Sequence, residues 1–383
     1  MRIIYLTLSV ALLLEPLILS SVSAKSTTKN TLAQIVAQAV CDKQVVVLGE
    51  LPTHGEALGF QAKADIVQSL VEQCNFTALF FEAPMYDFIG FQQAVANKKA
   101  QSKQLDRAIG GFWNTQELTL WRQWLFDQST SGQLSLAGLD DQVSVTSVFA
   151  KTTLPHLLGS NVTAKNPIEC QSALKRNMYW RYDEEHPFGP VEKDLLQQCT
   201  QQAADKLKTT SNADLSEKKM AENLANLYAR NNKNTLALSR DEAMYRNFQW
   251  QYQGLPKDSK AIIWTATVHA ARQQGQLKRK PMGVWLTEQW HEDMAVIGFT
   301  AYQGESSMAG MPIKTITAAP ANSLEANQTT VDTAWVFLSA KELSELGEVS
   351  SRLYGKFMTV NWSENFDGVV VFRQEKAPVF KNK

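Results

Sequence analysis

Several scarcities bound this chain of 383 residues. It has no excess of either charge, with 38 Lys and Arg against 38 Asp and Glu. No basic or acidic field therefore recommends nucleic acid or an anionic membrane as partner. Beyond the N-terminal segment, no apolar run is long enough to cross a bilayer. Gly-rich phosphate loops, Gly-x-Ser-x-Gly elbows and Cys-x-x-Cys pairs are all missing. Those absences argue against nucleotide use, a serine hydrolase and a thiol redox enzyme. There is no internal repeat and no low-complexity segment. Histidine is rare, at five, so the setting of each can be weighed.

What remains is ordinary globular composition, 44% hydrophobic, enough for one or two domains. The N-terminus reads as a signal peptide over residues 1–24. Arg2 supplies a basic start, Ile3 to Leu19 are mostly apolar despite Glu15-Pro16, and Val22-Ser23-Ala24 forms a small-residue cleavage site. The expected mature chain starts near Lys25, is periplasmic or secreted, and keeps no stable membrane span. Four cysteines suit an oxidising compartment. Cys41 precedes the first strand and Cys74 ends the helix after it, so those two could bridge. Cys170 and Cys199 share one polar, helix-rich stretch and could staple it. Four cysteines allow three pairings, and spacing does not choose among them.

Apolar runs read as buried strands at Val45–Leu48, Ala78–Phe81, Leu134–Leu139, Ile262–Thr265, Ala295–Phe299, Trp335–Leu338 and Val369–Phe372. Leu58, Ala62, Ile66, Val67, Leu70 and Val71 recur at helical spacing between the first two. A second pattern, with Trp113, Leu118, Trp121, Trp124 and Leu125, lies between the second and third. Strands alternating with helices predict an α/β fold, with a mostly parallel or mixed central sheet flanked by helices. Ser144 to Ser239 is polar and poor in strand signals. It is expected to be a helical insertion (residues 144–239) between two parts of the core, 25–143 and 240–383.

Polar groups follow several strands. Glu50 and His54 follow the first, Glu82 ends the second, Asp140 and Asp141 end the third, and His269 follows the fourth. Parallel strands would bring these to one edge, where open α/β sheets bind ligands. A carboxylate beside an imidazole fixes its tautomer and makes a general base available. Thr53 is expected to cap the next helix, leaving His54 near a positive helix end and neutral. His156, His186 and His291 have no comparable setting. His54, His269, Glu50 and Glu82 are also acceptable ligand types for zinc or another divalent ion. They are dispersed, so the sequence neither favours nor excludes a metal, and it implies no cofactor.

These residues resemble the erythromycin esterase-like hydrolases. The resemblance starts at Leu48-Gly49-Glu50 and Thr53-His54-Gly55 and continues through Phe80-Phe81-Glu82-Ala83-Pro84. It takes in Phe112-Trp113-Asn114, Gly138-Leu139-Asp140-Asp141, Arg240-Asp241 with Met244, and Phe366-Asp367. It implies hydrolysis of a small-molecule ester or lactone by activated water. His54 would be the general base, Glu50 and Glu82 would orient it or the water, and His269 would assist at the oxyanion or leaving group. Lys63, Asp140 and Arg240 would contact substrate. The sequence departs from the family at the first signature, where Leu51-Pro52 adds a residue between Glu50 and His54. It departs again at Ala266, the first of two positions often held by histidine, and at Lys63, where arginine is usual. The same broad fold also resembles exported haem- or metal-binding proteins, in which His54 and His269 would be ligands without turnover.

Overall fold

The β-branched and aromatic runs form one sheet. Its strands are β1 (Val45–Glu50), β2 (Phe76–Pro84), β3 (Ser135–Asp140), β4 (Lys260–Ala266), β5 (Met294–Ser306), β6 (Lys314–Ile316), β7 (Trp335–Ser339) and β10 (Gly368–Glu375). A separate hairpin pairs β8 (Glu348–Ser351) with β9 (Met358–Asn361). This computed structural model describes residues 31–162 and 166–381. The expected signal peptide lies outside them. Among the described residues, no helix is long and apolar enough to cross a membrane.

The sheet order is β3-β2-β4-β1-β5-β10-β7, with β6 on β5. All neighbours are parallel except β7 on β10 and β6 on β5. β4 enters between β1 and β2 only after the long helical segment, so residues distant in sequence meet at one edge. Strand side chains alternate between the two faces. Val46, Leu48, Phe81 and Trp264 pack with α1 (Leu32–Val40) and α2 (Ala57–Cys74) on one face. Val45, Val47, Phe80 and Ile263 pack on the other with α10 (Arg240–Gln253) and α12 (Met282–Trp290).

The segment between β2 and β3 holds three helices, α3 (Met85–Ala96), α4 (Ser102–Ile109) and α5 (Thr119–Thr130), and Trp121, Trp124 and Leu125 of the expected pattern lie in α5. Gly110, at φ +84°, ends α4 in a conformation only glycine adopts freely. Phe112 and Trp113 consequently sit in a loop. The polar stretch holds α6 (Phe149–Asn161), α7 (Pro167–Tyr179), α8 (Pro190–Thr209) and α9 (Leu215–Asn231). Asn166 and Asp214 cap α7 and α9 by accepting backbone N–H groups. These helices share a core of their own, including Leu154, Leu174, Leu196 and Leu224.

Disulfides join Cys41 to Cys74 and Cys170 to Cys199. Both bridges suit an oxidising compartment. They close sequence separations of 33 and 29 residues. At those lengths a bridge stabilises by about 2–4 kcal/mol, mainly by restricting the unfolded chain. Reductant should therefore lower the thermal unfolding midpoint markedly. An unchanged midpoint would show that the bridges restrain little.

Candidate active site

Four adjacent strands, β3-β2-β4-β1, bring their carboxyl ends together. Asp140 ends β3, Glu82 lies near the end of β2, and Glu50 ends β1. His269 sits in the single turn α11 (Thr267–Ala270) after β4. α10 adds Arg240 and Asp241 from its first turn.

Glu50 is buried and accepts four N–H groups. Oε1 receives His54 Nδ1–H at 2.6 Å and the Trp113 indole at 2.8 Å. Oε2 receives the Lys63 ammonium at 2.8 Å and the Trp264 indole at 2.9 Å. Burial pushes this carboxyl up, but Lys63 and His54 outweigh it and hold it below its usual range. Lys63 has no exposed side-chain surface. It also donates to Thr265 O at 3.3 Å and lies 4.2 Å from the Trp264 ring centre. Burial lowers its ammonium to about 8 against the pull of Glu50. Lys63, expected to contact substrate, is placed as the buried counter-ion of Glu50.

His54 has φ +47°, a left-handed backbone that costs a non-glycine residue about 1–2 kcal/mol. Its N–H closes the turn onto Leu51 O at 3.0 Å, which accommodates the extra Leu51-Pro52 residue and still delivers Nδ1 to Glu50. The next residue must be small, because a Cβ at Gly55 would stand 2.6 Å from Ser307 O. The expected cap is also corrected. Thr53 donates instead to Glu56, and α2 begins at Ala57. Its first turn is closed by Glu375 of β10, which accepts from Leu58 and Gly59 at 3.0 and 2.8 Å. No helix end forces His54 to be neutral. Burial disfavours its charged form, but Glu82 and Glu50 prevail and raise the imidazole above its ordinary value.

Glu82 stands between the two histidines. Its Oε2 accepts Thr265 Oγ1–H and Ala266 N–H, each at 2.8 Å. Its Oε1 accepts Arg240 Nη2–H at 3.0 Å and lies 3.3 Å from His269 Nε2 and 3.8 Å from His54 Nε2. Burial raises this carboxyl, but His269, His54 and Arg240 carry it well below its usual range. Ala266, lacking the imidazole often found there in the family, still serves through its backbone.

His269 Nδ1 donates to Asp241 Oδ1 at 2.6 Å, and Asp241 also accepts Met282 N–H at 3.0 Å. Arg240 Nη1 lies 3.1 Å from His269 Nε2, which by itself suits a neutral, accepting imidazole. The flanking carboxylates decide otherwise. Burial disfavours the charge, yet Glu82 and Asp241 raise His269 to about 10, which favours the imidazolium. Arg240 is fixed by two N–H bonds to Asp140 Oδ2, at 3.0 and 2.7 Å. Burial opposes the guanidinium charge, but Asp140 and Glu82 hold it firmly protonated. Asp140 is itself buried, and Arg240 is its charged partner at the strand ends. Asp141 turns away and pairs with Arg230 at 2.6 and 2.8 Å.

Trp113, Trp264 and Asp241 received no role from the sequence. Phe112-Trp113 and Arg240-Asp241 stood in the quoted motifs, but nothing distinguished Trp264 from a core residue. Phe112 was likewise unassigned. Its ring stacks on His54 at 5.1 Å with 23° between planes. Among the described residues, no group of three or more His, Cys, Asp or Glu side chains is arranged to hold a metal ion.

The erythromycin esterase sequence pattern matches residues 71–375. The chain belongs to the erythromycin esterase family. The matched range holds Glu82, Arg240 and His269, while Glu50, His54 and Lys63 precede it. A crystal structure of a Bacillus cereus protein is similar at TM-score 0.67 and 18% identity, over 92% of this chain and 94% of that one. A succinoglycan biosynthesis protein gives 0.66 and 16%, over 91% and 92%. A mutant of the erythromycin esterase EreC in an open conformation gives 0.62 and 18%, over 89% and 93%. These identities establish a shared fold. Comparison with curated proteins finds no match.

Proposed function

We propose that this erythromycin esterase family member is an exported hydrolase that cleaves a small-molecule ester or lactone, with His54 as general base. The observation that carries the reading is the His54–Glu50 contact of 2.6 Å. Glu50 accepts from Nδ1, so Nε2 is the basic nitrogen, and it lies 3.8 Å from Glu82 Oε1.

In this reading a water oxygen attacks the carbonyl carbon while its proton passes to His54 Nε2. The carbonyl π pair moves to oxygen, where Arg240 and protonated His269 supply positive charge. The oxyanion then collapses, the bond to the leaving oxygen breaks, and that oxygen takes the proton from His54. Glu50 holds the imidazolium in the interval. Glu82 sets the spacing of both imidazoles and the guanidinium.

The pH profile tests the assignment. His54 must be neutral to accept a proton, and its proton affinity is raised. Activity should therefore climb with pH through a midpoint above 6.5, the ordinary histidine value. Lys63 should release its proton near 8, leaving Glu50 without its counter-ion, so activity should fall again there. Both limbs belong to the coupled cluster rather than to single residues. A flat kcat/KM between pH 5 and 9 would contradict the base assignment.

A further inference from the structure

The polar cluster opens beside an exposed apolar feature that the mechanism does not use. Phe112 is 39% exposed, although one face of its ring lies on His54. Its position is fixed from behind, because Trp113 is buried and tied to Glu50. A second segment converges on the same turn. Ser307 N donates to Gly55 O at 3.0 Å, so the chain leaving β5 is held next to His54. Ser307 Oγ donates to Met311 O at 3.0 Å, and Met311 N donates to Met308 O at 2.9 Å, closing residues 307–311 into a compact turn. The two segments approach each other, since a Cβ at Gly111 would lie 3.8 Å from Ala309 Cβ. Met311, on that turn, is 53% exposed.

Single exposed apolar residues need no explanation, but here an aromatic ring stacks on the His54 imidazole and a methionine-bearing turn is bonded to the residue after it. Ligand sites combine apolar walls with a few convergent polar groups. Methionine is unbranched and polarizable, so it adapts to ligands of varied shape. We propose that Phe112 and the Met308–Met311 turn form an apolar lip that selects substrates bearing an apolar group within a few atoms of the scissile carbonyl. The inference rests on the hydrolase reading and adds the class of substrate to it.

The test compares three esters on the wild-type protein: ethyl acetate, ethyl octanoate and octyl acetate. The two long esters distinguish an apolar acyl side from an apolar alcohol side. Covering even two or three methylenes should favour one long ester over ethyl acetate by about tenfold or more in kcat/KM. Met311→Ser and Phe112→Ala should each shrink that ratio. The ratio is informative even where Phe112→Ala slows every substrate by loosening His54. A parallel binding measurement uses the ketone in which methylene replaces the ester oxygen of ethyl octanoate, so it requires no turnover. Turnover of all three esters with no preference for either long one would overturn the lip and leave the hydrolase standing. Ketone binding weakened by both substitutions, without ester turnover, would keep the lip and overturn the hydrolase. Neither binding nor turnover would overturn both.

Discussion

Replacing His54 by alanine lowers turnover of a cleavable ester by about a hundred- to ten-thousand-fold while the fold survives. The magnitude is what a positioned general base contributes. The fold survives because of how Glu50 is satisfied. Without His54, its Oε1 still accepts the Trp113 indole and its Oε2 still accepts Lys63 and the Trp264 indole. No buried charge is left unpaired. Alanine keeps the Cβ and so bears a similar cost in this left-handed turn, adding no new backbone strain. Far-ultraviolet circular dichroism and the melting midpoint should therefore stay near wild type while kcat collapses. Unchanged turnover in a folded His54→Ala protein would remove His54 from the chemistry.

Lys63→Met should act on stability instead. Methionine has a similar length and no charge, so the carboxylate of Glu50 loses its ammonium partner in a fully buried setting. Breaking a buried pair in this way costs about 3–5 kcal/mol, because the remaining charge is uncompensated. The loss should depend on pH. In the wild type the Glu50 carboxyl is held below its usual range, so its contribution is present above the unfolded carboxyl value and lost as pH falls. Without Lys63, burial should dominate and raise the carboxyl instead. The variant should then lose stability as pH rises, and its deficit should be larger at pH 6.5, where Lys63 of the wild type is still charged, than at pH 4. Urea unfolding at both values measures this. A variant within about 1 kcal/mol of wild type at pH 6.5 would mean that Glu50 does not depend on Lys63.

Much of the fold is legible in the sequence because its strands are buried on both faces. Val45–Leu48 and Val369–Phe372 are continuous apolar runs, and such runs identify central strands. Their polar followers pointed to one sheet edge for the same reason: Glu50, Glu82, Asp140 and His269 each come within four residues of the end of an apolar run. Local helix boundaries were harder to read. Thr53 has the chemistry of a cap, but Glu375, from the far end of the chain, takes the first turn of α2. No local signal carries a partner 317 residues away. Lys63 illustrates a second limit. Its helical spacing gives no warning that its whole side chain is buried, because that burial depends on Glu50 arriving from β1. Trp264 alternates like any other core residue of β4, and only the fold shows its indole N–H on a carboxylate. The tryptophan-rich pattern led to α5 but not to α3 and α4 before it, and Trp113 falls outside the helix because the chain is still in the loop that begins at Gly110.

The most direct measurement follows water into product. Purified protein is incubated with ethyl octanoate in water enriched in oxygen-18, alongside His54→Ala, and the acid is analysed by mass spectrometry. The account predicts one heavy oxygen in the acid from the wild type and a hundredfold or greater loss of that product in the variant. Equal labelled product from both proteins, or none from the wild type with ethyl acetate, ethyl octanoate or octyl acetate, would contradict hydrolysis by His54-activated water.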